Sequence, residues 1–382
     1  MAAQLSRTKI KVKIKNRPRA ISTLGTGLVL LWVCAIISFW RPPISEASSA
    51  SVEPDVYARA IERAARISRL RSLLISIDGE LVEERYFNGT GPSKWENIKS
   101  VSKSIISTLV GIALDRGYLQ NVRDPIGKYF PQYLGSADDA AKRDITIEDL
   151  LTMRAGLETT SNRNYGRWVR SSNWIRHALN RPMVEAPGGR MIYSTGNSHL
   201  LSAILTKSSG MSTFEFARRY LADPAEIPIR PWTRDPQGIF LGGNEMHLTT
   251  RGMVKFGELY VNGGRLGNKR IVSETWIEAS LKPRTVSRWS GREYGYGWWI
   301  DRLAGRQSYF AWGHSGQFIF TLPDLKMVVV TTSASSSERG ERREQRQAIY
   351  DLMEDYLIPA ARNGGGATRS PATEPLPGPS PS

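Results

Sequence analysis

The sequence has almost no cysteine: Cys34 stands alone in 382 residues. Nothing beyond it can form an internal disulfide, supply a thiol nucleophile or bind a metal through thiolates. Histidine is nearly as scarce. His177, His199, His247 and His314 are the whole set, none at metal-ligand spacing, and no His-Glu-x-x-His occurs. No metal and no cofactor is therefore expected, and the first three histidines read as structural. Internal repeats are absent. Acid is missing from the first 41 residues, which carry Arg7, Lys9, Lys11, Lys13, Lys15, Arg17, Arg19 and Arg41. Half of the formal net charge of +16 lies in that leader, and the rest of the chain sets 44 basic residues against 36 acidic ones. So mildly basic a body, with no RNA- or DNA-binding motif, argues against nucleic acid as a partner.

A long uncharged run occurs once. Residues 20–40, "AISTLGTGLVLLWVCAIISFW", hold no charge over 21 positions. That is the length a helix needs to cross a bilayer, and it exceeds a typical signal-peptide core. Seven basic residues precede it and one follows, so the positive-inside rule leaves the N-terminus in the cytoplasm. The expectation is a basic cytoplasmic segment (1–19), a transmembrane signal anchor (20–40), a tether (41–54) and a folded domain (55–360). This is a single-pass protein of a bacterial inner membrane with its domain in the periplasm. The alternative is secretion after cleavage near Ala50. The tail 361–382 is too poor in apolar residues to fold and is expected to be disordered.

Hydrophobic patterning predicts an amphipathic helix after residue 55, then a hairpin over "LRSLLISIDGELVEERYFNG" with Asp78-Gly79 at its turn. Helical patterns dominate from 97 to about 250. Three strand-like runs follow between 291 and 335, and a last helix covers 339–359. The fold class is α+β: an antiparallel sheet, holding both ends of the domain, flanked by helices and interrupted by a mostly helical subdomain.

Three separated segments carry candidate chemistry. In "SVSKS", Ser100 and Lys103 are three apart and share a helix face. Serine needs a base to become a nucleophile, and a desolvated lysine can be neutral enough to serve. Ser102 and Ser104 fall on other faces. Taken alone, this tetrad is equally ordinary helix-start chemistry. Tyr193, in "MIYSTGN", begins an apolar helix; a tyrosine between cations can be held as phenolate and act as a base. "WGHSGQF" sets His314, Ser315 and Gly316 at a turn before a strand, where the Gln317 amide can join that of Ser100 as an oxyanion hole. Its alternative reading is a plain hairpin turn.

These segments, in this order, resemble the serine β-lactamase and penicillin-binding-protein superfamily. The class C-like branch is most similar, with its family VIII esterases and nylon-oligomer (aminohexanoate-dimer) hydrolases. "ITIEDLLTMRAGLE", "LTTRGMVKFGELYVNGGR" and "YGYGWWI" add to the likeness, which covers about 70–358. The resemblance implies a transpeptidase-like fold and an acyl-enzyme on Ser100, with Lys103 its proton partner and Tyr193 general base and acid. It also implies an oxyanion hole of the Ser100 and Gln317 amides. His314, Ser315, Gly316 and Thr195 are its implied substrate contacts; Trp174 is one of several aromatics that read either as acyl-pocket lining or as core. Two departures stand out: Thr195 replaces the Asn of the second motif, and His314 replaces the Lys of the third. The implied function is a serine hydrolase acting on a small-molecule or short-peptide ester or amide. The alternatives are a DD-peptidase or β-lactamase, and a non-catalytic penicillin-binding-like protein.

Overall fold

Asp78 and Gly79 both adopt positive φ, 51° and 83°, the backbone of a type I′ turn whose twist matches a two-residue hairpin. They join β1 (Leu70–Ile77) to β2 (Glu80–Tyr86) as the sequence pattern anticipates. The computed structural model describes residues 56–364. The other six main strands come late in the chain: β3 (Thr285–Val286), β4 (Glu293–Tyr294), β5 (Trp299–Leu303), β6 (Arg306–Gly313), β7 (Gln317–Leu322) and β8 (Met327–Ser333). All pair antiparallel in the order β2-β1-β8-β7-β6-β5-β4-β3, with Leu74 opposite Val330 where the early hairpin meets the late strands. Both ends of the domain therefore meet in one sheet.

Strands β7 and β8 are buried at every position, because helices cover both faces. The helix α1 (Ala58–Ala65) opens the domain. Ala311, Ile319, Val328 and Val330 point into one core, with helix α2 (Ser102–Asp115), helix α3 (Thr195–Ser209) and helix α4 (Thr250–Val261). Phe310, Phe318, Phe320 and Val329 alternate to the other face, against Ile349, Tyr350 and Leu352 of helix α5 (Arg339–Leu352). Gly257 lets α4 lie close on the sheet: a Cβ there would come within 2.5 Å of Val328 Cγ1.

The helical section runs further than expected, on through α4 to a helix at Glu274–Leu281. Helix continues at the C-terminal end to Gly364, past the expected start of the tail. Among the described residues no helix is long and apolar enough to cross a membrane. The expected single-pass inner-membrane protein with a periplasmic domain is corrected on that finding. Segments 1–19, 20–40 and 41–54, on which it rested, lie outside the described residues, as does the region of cleavage near Ala50.

Candidate active site

Helix α2 is buried on all sides from Ser102 to Ala113, so its hydroxyls need partners inside the protein. Ser104 Oγ donates to the Gly297 carbonyl at 2.6 Å and Ser107 Oγ to that of Tyr296 at 2.7 Å. Ser102 Oγ donates to the Lys99 carbonyl at 2.6 Å. These serines dock the helix. Ser100 is the exception. It sits in a single 3₁₀ turn, Lys99–Val101, that leads straight into α2, and Lys103 Nζ lies 3.0 Å from its Oγ.

Lys103 is only 3 % exposed and, among the described residues, no carboxylate pairs with it. Burial alone lowers its pKa to about 7, because a buried ammonium loses hydration. Its Nζ also donates to the Gly243 carbonyl at 2.7 Å. That contact has no signature in the sequence beyond the Gly-Gly pair in "LGGNEM". A Cβ on Gly242 would fall 2.0 Å from the Ser198 carbonyl oxygen, and one on Gly243 would lie 3.1 Å from Lys103 Nζ. Only glycines bring this strand of chain so close to both α2 and α3.

Tyr193 lies two residues ahead of α3, its phenol hydrogen-bonded to the Ser100 side chain. Lys103 Nζ lies 5.0 Å from its ring centroid. Burial pushes the phenol up to about 12. Burial outweighs the lowering by the Ser100 hydrogen bond, so the group stands as a neutral phenol at pH 7. The Tyr193 ring stacks on Trp299 at 5.9 Å. Ser194 Oγ accepts from the Thr160 amide at 3.1 Å and the Thr159 hydroxyl donates to the Tyr193 carbonyl at 2.7 Å, fixing the entry to α3.

The third segment is the turn 314–316 between β6 and β7. Ser315 and Gly316 take φ of 64° and 87°. A Cβ on Gly313 would meet the Ile98 carbonyl oxygen at 2.4 Å, so the turn is pressed against the backbone that leads to Ser100. The Gln317 side chain is 2 % exposed and donates to the Ser333 carbonyl at 2.7 Å; what it can offer the site is its main-chain amide. Ser315 Oγ lies 2.8 Å from His314 Nδ1. Burial, then Arg342, then Lys99 hold His314 below its ordinary pKa.

Lys99 and Glu245 at the same mouth also have positive φ, 51° and 63°. Such backbones are uncommon outside glycine and concentrate at functional sites. Asn97 Nδ2 donates to Glu245 Oε2 at 2.7 Å, tying the two strained segments together.

The profile described as Beta-lactamase matches residues 71–354. The chain belongs to the Beta-lactamase family. A curated relative, a 6-aminohexanoate-dimer hydrolase of Paenarthrobacter ureafaciens, is 24% identical over 228 residues, 55% of this chain and 56% of that protein. The chain thus spans little more than half of that relative. A Bacillus anthracis structure named for the same dimer-hydrolase activity superposes with TM-score 0.66 at 18% identity, covering 78% of this chain and 80% of the other. EstCE1, a hydrolase with promiscuous acyltransferase activity, gives TM-score 0.61 at 18% identity over 77% and 96%. This family frame agrees with the α+β sheet and helical insertion read from the pattern.

Of the candidate residues, Ser100, Lys103, Tyr193 and the 313–317 turn converge. Trp174 and Thr195 do not. Trp174 is 5 % exposed, packed against Trp168 and His199, and its indole donates to the Val169 carbonyl at 3.1 Å. Thr195 is also buried, its hydroxyl 3.0 Å from Ser161 Oγ. Both side chains are buried and held by these neighbours. His199 pairs with buried Asp235 at 3.0 Å, a structural role as the sequence suggested. Among the described residues no group of His, Cys, Asp and Glu could hold a metal.

Proposed function

We propose that this chain is a serine hydrolase that cleaves a small ester or amide through an acyl-enzyme on Ser100. The observation that carries it is the buried Lys103 amine 3.0 Å from Ser100 Oγ, its pKa lowered to about 7 by desolvation alone. At neutral pH about half of such amines are unprotonated, so Lys103 takes the Ser100 proton as Oγ attacks the carbonyl carbon. The tetrahedral oxyanion is held by the Ser100 and Gln317 amides, preorganised by the turn against Ile98. Tyr193, as a neutral phenol bonded to Ser100, relays a proton to the leaving oxygen or nitrogen and is refilled from Lys103. Water then attacks the acyl carbon as Lys103 accepts its proton, and collapse of the tetrahedral intermediate releases Ser100 Oγ, which takes that proton back from Lys103.

His314, held below its ordinary pKa, is mostly neutral at pH 7 and supplies no fixed cation beside the reacting carbonyl. That favours uncharged ester or amide groups over β-lactams, whose carboxylate lies next to the scissile bond. The relative named as a 6-aminohexanoate-dimer hydrolase supports the same side. Labelling the protein with a fluorophosphonate and with a fluorescent penicillin tests it: a Ser100 adduct with the first and none with the second is expected. Stable labelling by the penicillin would favour a DD-peptidase instead, and turnover of the penicillin a β-lactamase.

A further inference from the structure

The hairpin β3–β4 carries Trp289 at its tip, 67 % exposed, the most exposed large hydrophobic side chain described. It is not loose. Its indole stacks on Trp312 of β6 at 5.3 Å and 20°, and the Arg346 guanidinium of α5 lies 5.6 Å over its ring and 5.4 Å over that of Trp312. Trp312 in turn contacts Trp299 at 5.3 Å, and Trp299 stacks on Tyr193. An unbroken row of aromatic rings therefore runs from the phenol at Ser100 out to an open indole.

Arg346 has a second peculiarity. Among the described residues it makes no hydrogen bond or ion pair, although it is half-buried. Burial and the neighbouring Arg292 and Arg343 lower its pKa. Arg292 already has a counter-charge, Asp301 at 2.7 Å; Arg346 has none. A guanidinium stacked on two indoles with its N–H groups unpaired suits a ligand that is flat and anionic.

We propose that Trp289, Trp312 and Arg346 form a specificity subsite for the distal end of the substrate, which carries an aromatic ring bearing a carboxylate. The ring stacks on Trp289 and the carboxylate pairs with Arg346, while the scissile carbonyl lies at Ser100. The inference rests on the hydrolase reading above. It names a substrate class: aryl-carboxylate esters or amides with a spacer between ring and scissile bond.

The full chain is assayed by pH-stat on methyl hexanoate, methyl 4-phenylbutyrate and methyl 4-(4-carboxyphenyl)butyrate. Trp289→Ala should lower kcat/KM roughly threefold to tenfold on both aryl esters, as loss of an aromatic pair predicts. It should leave methyl hexanoate unchanged, and Trp289→Phe should restore most of the loss. Arg346→Gln should lower kcat/KM about tenfold or more on the carboxylated ester and much less on the neutral aryl ester. Equal losses on all three esters, or none on any, would overturn the subsite. If the wild-type protein hydrolyses none of them, the hydrolase reading fails. The subsite is then judged by calorimetric binding of 4-(4-carboxyphenyl)butyrate. Binding that Trp289→Ala and Arg346→Gln each weaken supports it, and absence of binding sinks it.

Discussion

The proton affinity of Lys103 sets the sharpest prediction, because the two candidate bases differ so widely. The ordinary lysine value of 10.5 falls to about 7 in the folded protein. A drop of about 3.5 units is worth about 5 kcal/mol against the charged form, at 1.36 kcal/mol per unit. Roughly 1% of the amine is neutral at pH 5, about half at pH 7 and about 90% at pH 8. The acylation rate, followed as the burst of a chromogenic ester under single-turnover conditions, should rise about tenfold per pH unit below 7. It should level off above that, for a total gain near a hundredfold between pH 5 and 8. The same shift has a stability consequence of defined sign. Between about pH 7 and 10.5 the unfolded chain holds a proton on this lysine that the folded chain has released. The burial cost is therefore full below pH 7 and fades as pH rises, and Lys103→Met should remove this part of the slope. A rate that is flat from pH 5 to 8, or that breaks only above pH 9, would refute the assignment. It would point to a lysine that stays charged.

Two further outcomes follow from the geometry. Tyr193→Phe removes the relay hydroxyl but keeps the ring on Trp299, so kcat should fall by about a hundredfold or more while the melting temperature barely moves; a variant with full kcat on ester and amide alike would discard the relay. Gly242→Ala drives a methyl into the Ser198 carbonyl at 2.0 Å, which should cost about 1–3 kcal/mol and weaken the Gly243 contact with Lys103. Calorimetry and the pH-rate profile read the two effects, and an unperturbed melting temperature would show that this approach is not tight.

Much of the site was legible in the sequence because its chemistry depends on residue types at helix and strand starts. Ser100 and Lys103 share a face by helical spacing alone, and Asp78-Gly79 announces the hairpin that fixes the sheet. The identity of the docking serines was not legible. Ser104 and Ser107 find carbonyls at 297 and 296, and no local pattern encodes a partner nearly two hundred residues away. The Gly243 carbonyl on Lys103 escaped for the same reason. An aromatic or hydroxyl near a motif reads the same in sequence whether it faces the cleft or the core, so the packing of Trp174 on Trp168 and His199 and of Thr195 on Ser161 is visible only in the structure. Burial of the Tyr193 phenol, which raises its pKa, leaves no mark in a sequence. Trp289 is an unremarkable residue in a polar loop until the hairpin folds it onto Trp312.

The most direct test of the central claim is rapid-quench mass spectrometry during turnover of a slow ester. The account predicts one acyl group per chain, located on the peptide containing Ser100, formed and lost at rates that match turnover and absent from Ser100→Ala. An acyl group on any other residue, or unimpaired hydrolysis by Ser100→Ala, would contradict it.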